Sequence, residues 1–258
     1  MERHELIWEY QRSINEIYIE QGLTSLSGLD KFEINGKVIT IWHTEATRKC
    51  WVKHNAHFNY LKNSDDLLFC SDELLYFTAH LYLYKPFLNN PIKEGVAFSG
   101  QMVYPNYQNL EAKRYSMFAD VTCQKAYNYW DRIGDLIASF FPDLLKPHNV
   151  YFPSAIEAIP RKFHKSNNYL WLKEFKENEY VTLNNMRKQI VHYTTSDIDF
   201  RYKHLKLTSN RESMQELQND REDLADFYKN HIYLTLTGLE KTLLFFDEIN
   251  PILFDDVE

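Results

Sequence analysis

Apolar positions at three- and four-residue steps dominate the chain. In residues 4–19 they fall at Leu6, Ile7, Tyr10, Ile14, Ile17 and Tyr18, a stripe that predicts an amphipathic helix with Gly22 as its stop. Residues 31–42 break that rhythm. Two β-prone runs there flank Asn35-Gly36, the pair suited to the positive φ angles of a type I′ turn, so a small hairpin is predicted, with Phe32 opposite Ile39 and Ile34 and Ile41 on one side. Helical spacing returns over 44–61 and 65–88, the latter closed by Pro86 and Pro91. Residues 89–106 hold Pro91, Gly95, Gly100 and Pro105, which predicts a long loop or irregular hairpin and the boundary between two regions.

Beyond that boundary the pattern is cleaner. Leu110, Met117, Val121, Tyr127, Trp130, Ile133, Ile137 and Phe140 trace one face of a helix predicted over 107–141, about 50 Å long at 1.5 Å per residue. A loop with Pro153 and Pro160 leads to helices predicted over 168–178 and 181–193. A polar stretch covers 194–220, and a last helix is expected over 221–248 with Tyr228, Ile232, Leu239, Leu243 and Phe246 inward. The expected fold class is all-α, with an N-terminal helical extension (1–106) carrying the hairpin and a helical bundle over 107–258.

Composition sharpens this picture. Seven glycines in 258 residues argue against dinucleotide-binding and P-loop folds, which need glycine where the backbone meets phosphate. A hydrophobic content of 44%, with 18 Tyr and 17 Phe, excludes a disordered chain. Three cysteines make no disulfide framework, and no run of 18 apolar residues is present, so a soluble cytoplasmic protein is expected. The net charge of −7 opposes a protein that coats nucleic acid, but leaves room for one local basic site.

The candidate chemistry lies in Met186-Arg187-Lys188-Gln189-Ile190-Val191-His192-Tyr193. An arginine and a histidine separated by four residues, with an apolar step before the histidine and an aromatic after it, between two long helices, resemble the motif of the HEPN superfamily, the higher eukaryotes and prokaryotes nucleotide-binding domain. Arg48 and His54 fit a looser version of that spacing but lie beside the predicted hairpin. The resemblance covers roughly residues 107–248. It implies an antiparallel helical bundle, a homodimer in which two motif helices meet, and metal-independent RNA cleavage without a cofactor, in a toxin or defence effector held in check by an antitoxin or other regulatory protein. A noncatalytic relative that binds RNA, a nucleotide or a protein partner is the alternative.

The residue types suit the implied reaction. Imidazole exchanges protons near neutral pH, and guanidinium stays charged and grips phosphate oxygens. His192 is therefore the candidate acid/base and Arg187 the candidate phosphate clamp. Five residues turn a helix by about 140°, so the two do not share one face, which is why a second copy matters. Lys188 and Tyr193, with Arg161 and Lys162 upstream, are candidate substrate-binding residues. Lys188 stands where many relatives carry Asn or Asp, and Thr194 where one subfamily carries tyrosine. The stretch 161–188 also interleaves Lys165, Lys173 and Lys176 with Phe163, His164, Tyr169, Trp171 and Phe175, a pattern suited to single-stranded RNA. Cys50, His54 and His57 have zinc-competent side chains, but without a CxxC pair no metal site is expected. Asp131 and Asp135 read as a solvated helix face, and Cys70 and Cys123 as core.

Overall fold

The computed structural model describes residues 3–29, 33–51, 59–105, 107–141 and 149–255. The fold is all-α, and two short antiparallel hairpins are the strands among the described residues. Helix α1 (Arg3–Gln21) ends at Gly22, whose φ of 61° turns the chain so that the Leu23 N–H reaches the Tyr18 carbonyl at 2.8 Å. Strands β1 (Glu33–Ile34) and β2 (Lys37–Val38) flank Asn35 and Gly36 at φ 51° and 74°, as a type I′ turn requires.

The hairpin is shorter than expected. Ile39 opens α2 (Ile39–Trp51), because Ile39, Trp42, His43, Ala46 and Thr47 are all buried at helical spacing, while Ile41 faces solvent. The expected cross-strand partner Phe32 lies outside the described residues. Helix α3 (Tyr60–Tyr84) is followed by strands β3 (Val96–Phe98) and β4 (Gln101–Val103), turned at Ser99 and Gly100. Then come α4 (Leu110–Phe140), α5 (Phe152–Ala158), α6 (Asn167–Glu177) and α7 (Glu179–His192). The expected polar stretch is two further helices, α8 (Ser196–Lys206) and α9 (Arg211–Glu222), before α10 (Leu224–Asp255).

The chain forms two compact units, each drawn from three stretches. One comprises Met1–Leu23, Leu75–Gln124 and Met186–Asn230; the other comprises Thr24–Leu74, Lys125–Asn185 and His231–Glu258. In the first, Ile14, Leu81, Tyr115, Ala119 and Tyr228 are fully buried, and Tyr104, Phe200, Met214 and Leu217 form a satellite cluster. His80 Nδ1 meets the Tyr76 carbonyl at 2.7 Å and must carry the proton there, which leaves Nε2 to accept from the Tyr10 hydroxyl and ties α1 to α3.

The second unit is centred on Trp130, whose ring stacks on Phe175 at 3.9 Å and meets Phe152 at 4.8 Å. Two glycines permit this packing. A Cβ on Gly238 would enter the Trp130 ring, and one on Gly134 would lie 2.6 Å from the Phe152 nitrogen. Gly134 is thus the place where α4 lets the returning chain touch its backbone, at a cost in helix propensity of about 1 kcal/mol.

Candidate functional site

The motif lies on the last turns of α7, and the burial pattern there is unusual. Tyr180 and Leu183 anchor the start of the helix, yet from Met186 onward no residue of α7 is buried. Arg187 is half-buried, Lys188 and His192 are exposed, and Tyr193, just past the helix end, is 79% exposed. The His192 and Tyr193 rings meet edge to face at 6.5 Å.

Arg187 and His192 serve different surroundings. The positive charge of Arg187 acts on the thiol of Cys123 in α4. Burial pushes that thiol up to about 12, opposed by a hydrogen bond from the Tyr228 hydroxyl and by Arg187, and reinforced by the Asp120 carboxylate. His192 instead lines a groove of about 620 Å³ together with Tyr193, Thr194, Ile198, Asp199 and Tyr202. The divergence expected of a five-residue step along one helix is therefore present.

The connection from α7 to α8 is held at a defined point. Asp120 on α4 accepts from the Ser196 N–H at 3.2 Å and also from the Ser196 hydroxyl, which fixes the first residue of α8 four positions after His192. Burial raises the Asp120 carboxyl above its usual range, the two Ser196 hydrogen bonds oppose that shift, and the neighbouring Asp197 adds to it. Farther along, the buried Arg221 guanidinium of α9 lies 4.3 Å from the Phe200 ring centre, packing α9 against α8. None of Asp120, Ser196 or Arg221 stood out in the sequence; the signal that could have marked this region is the Thr195, Asp197 and Asp199 run, typical of a helix start.

Arg161 and Lys162 belong to the other compact unit, on a single 3₁₀ turn, and both are exposed, with the Lys162 ammonium 5.1 Å from the Phe163 ring centre. The aromatic and basic stretch around them is not an open binding face. Phe163, Tyr169 and Phe175 are buried in the core, Lys176 pairs with Glu157 at 3.0 Å, and Lys173 with Glu177 at 3.8 Å. Apolar periodicity claimed those rings for packing before they could serve a ligand.

The other candidates resolve simply. Asp135 pairs with Arg132 at 2.6 Å, and Cys70 and Cys123 are buried free thiols. The Arg48 and Cys50 side chains, with His54 and His57, lie outside the described residues; among the described ones no group of three His, Cys, Asp or Glu could hold a metal. No described helix is long and apolar enough to cross a membrane.

The family model described as HEPN_Cthe2314-like HEPN matches residues 75–250, about two-thirds of the chain. The chain belongs to this HEPN family. The matched stretch runs from the second half of α3 into α10, so it contains the β3–β4 hairpin, all of α4 to α9 and the Arg187–His192 segment. No curated protein and no solved structure matches the chain. The HEPN assignment therefore stands on the family model together with the all-helical fold.

Proposed function

We propose that this HEPN protein is an endoribonuclease whose active centre forms when two copies bring their α7 helices together. One observation carries the reading: His192 sits at the solvent-facing end of a helix whose final turns hold no fully buried residue, beside a groove, with the Arg187 cation about 1.4 turns away on another face. A single copy points the two side chains apart, whereas paired copies can supply a guanidinium from one and an imidazole from the other.

In that arrangement the 2′-oxygen of a ribose attacks the adjacent phosphorus and the bond to the 5′-oxygen breaks, leaving a 2′,3′-cyclic phosphate. One His192 takes the 2′-hydroxyl proton and His192 of the second copy protonates the departing 5′-oxygen. Arg187, aided by Lys188, stabilises the five-coordinate phosphorus. Lys188, Tyr193, Arg161 and Lys162 are the proposed RNA contacts, and a toxin or defence role under a regulatory partner in the cytoplasm is the proposed setting.

The test is cleavage of RNA by purified protein in excess chelator. Loss of at least about 100-fold in both Arg187→Ala and His192→Ala, with 2′,3′-cyclic ends on the wild-type products, is the expected result. Activity that survives both substitutions, or a chain that stays monomeric at micromolar concentration while cleaving, overturns the composite site. A second reading is favoured by the half-burial of Arg187, whose charge acts on the Cys123 thiol rather than on the His192 groove: an HEPN protein that binds RNA without cutting it. Binding with no cleavage in the same assay would select it.

A further inference from the structure

We infer that the groove beside His192 is a stacking subsite for one unpaired nucleobase of an RNA strand, with Tyr202 as its principal platform and Tyr193 as its second. The inference rests on the proposed RNA-directed role of His192 for the direction in which the strand runs, but the stacking itself requires no cleavage.

Three observations converge. The groove, about 620 Å³, is open to solvent along its length, and its apolar lining comes from Ile190, Val191 and Ile198. Its aromatic side chains are not used by the fold. Tyr202 is 62% exposed and Tyr193 79% exposed, and among the described residues Tyr202 makes no ring contact or hydrogen bond. Exposed tyrosines just past the end of α7 and on α8 leave open π-faces, which is what a base without a pairing partner stacks on.

Charge selects the occupant. Residues 186–206 carry Arg187, Lys188, Arg201, Lys203 and Lys206 against Asp197 and Asp199, in a chain whose net charge is −7. The one carboxylate lining the groove, Asp199, is matched by Lys203 at 2.7 Å. In the paired copies proposed above, both chains bring this cationic excess to the shared site, and a polyanion between them neutralises it. A polyanion with uncharged flat faces satisfies both the surrounding cations and the aromatic lining. The wall that carries Tyr202 is also fixed in place, since Asp120 holds the first residue of α8 and Arg221 packs under Phe200.

The experiment uses the full chain carrying His192→Ala, so that bound RNA stays intact, and fluorescently labelled single-stranded adenosine octamers read by anisotropy. Tyr202→Ala is expected to weaken binding roughly 5- to 150-fold, Tyr202→Phe and Tyr202→Trp to restore it, and Tyr193→Ala to weaken it less. The salt dependence should keep its slope in Tyr202→Ala, because no phosphate contact is lost, and become shallower by about 0.7 in Lys188→Ala. An octamer with abasic sites should bind wild-type and Tyr202→Ala protein equally. Unchanged affinity in Tyr202→Ala, or a loss that tracks weakened self-association in sedimentation rather than RNA binding, overturns the subsite. Wild-type protein that binds the octamer through Tyr202 yet leaves RNA uncut supports the subsite and removes the nuclease reading.

Discussion

Gly134 shows how one absent methyl group shapes this molecule. It lies within a 31-residue helix, where sequence alone marks it as a weak point, yet the backbone of Phe152 occupies the space its Cβ would need. Gly134→Ala should therefore destabilise the fold by about 1–3 kcal/mol despite the better helix propensity of alanine, and Gly238→Ala should do the same through Trp130. Urea unfolding of each variant checks this; a gain in stability at either position would show that the close approach relaxes at no cost. At this scale Arg187 and His192 were nominated as candidates by their spacing together with the apolar step and the long helices around them. Asp120 and Tyr202 were not. An isolated aspartate on a long helix and a tyrosine in a polar stretch acquire meaning only from Ser196 and from the groove, and both relations depend on tertiary placement.

At the scale of elements, α8 and α9 were the helices that periodicity missed, and their buried faces explain why. Helix α9 turns Met214, Leu217, Gln218 and Arg221 inward, so half of its inner stripe reads as polar. Helix α8 buries only Phe200 and His204. Helix α5 was obscured by Pro153, which is tolerated in a first turn where its missing N–H costs nothing. By contrast α4, α6, α7 and the Asn35-Gly36 turn lie close to their expected ranges, although Leu110 and Met117, expected on the apolar face of α4, are exposed. The link between α4 and α8 gives a direct prediction. Asp120→Asn keeps an acceptor for the Ser196 N–H and removes a charge whose burial is unfavourable, so its stability at pH 7 should match or exceed that of the parent. Asp120→Ala should lose about 1–2 kcal/mol with the helix-start contacts. Because the folded carboxyl is raised, its unfavourable contribution is complete above the raised value and fades as pH falls towards 3.8. Asp120→Asn should accordingly flatten the stability profile just above the usual carboxylate range, and an unchanged profile would refute that cause.

For the molecule as a whole, acid is the exposed weakness. Burial pushes His43, His80 and His204 below their ordinary value and holds His231 at about 4. Such groups are neutral in the folded chain and bind protons more readily once unfolded, so stability is full above about pH 6.5 and is lost as pH falls towards 4. His231 alone accounts for up to about 3 kcal/mol of that loss. Thermal scans between pH 7.5 and 4.5 should show a steep fall below pH 6.5 that is shallower in His231→Gln, and parallel curves for the two proteins would exclude His231 as a source. Fold class was readable at this scale from scarce glycine and helical spacing. The two interleaved units were not, because each is assembled from three separated stretches and no shift in composition marks where the chain passes from one to the other.

Cys123 has a practical consequence. Its thiol is buried, and it is held protonated by that burial while the charge of Arg187 acts upon it. An alkylating reagent attacks thiolate, so the cysteine stays silent in the folded chain and reacts when the packing around it on α4 opens. In a Cys50→Ser, Cys70→Ser background the alkylation rate becomes an intrinsic gauge of local opening around Cys123, read by mass spectrometry without any added label. Slower alkylation on adding RNA would report that ligand tightens the packing around Cys123, and faster alkylation that it loosens it.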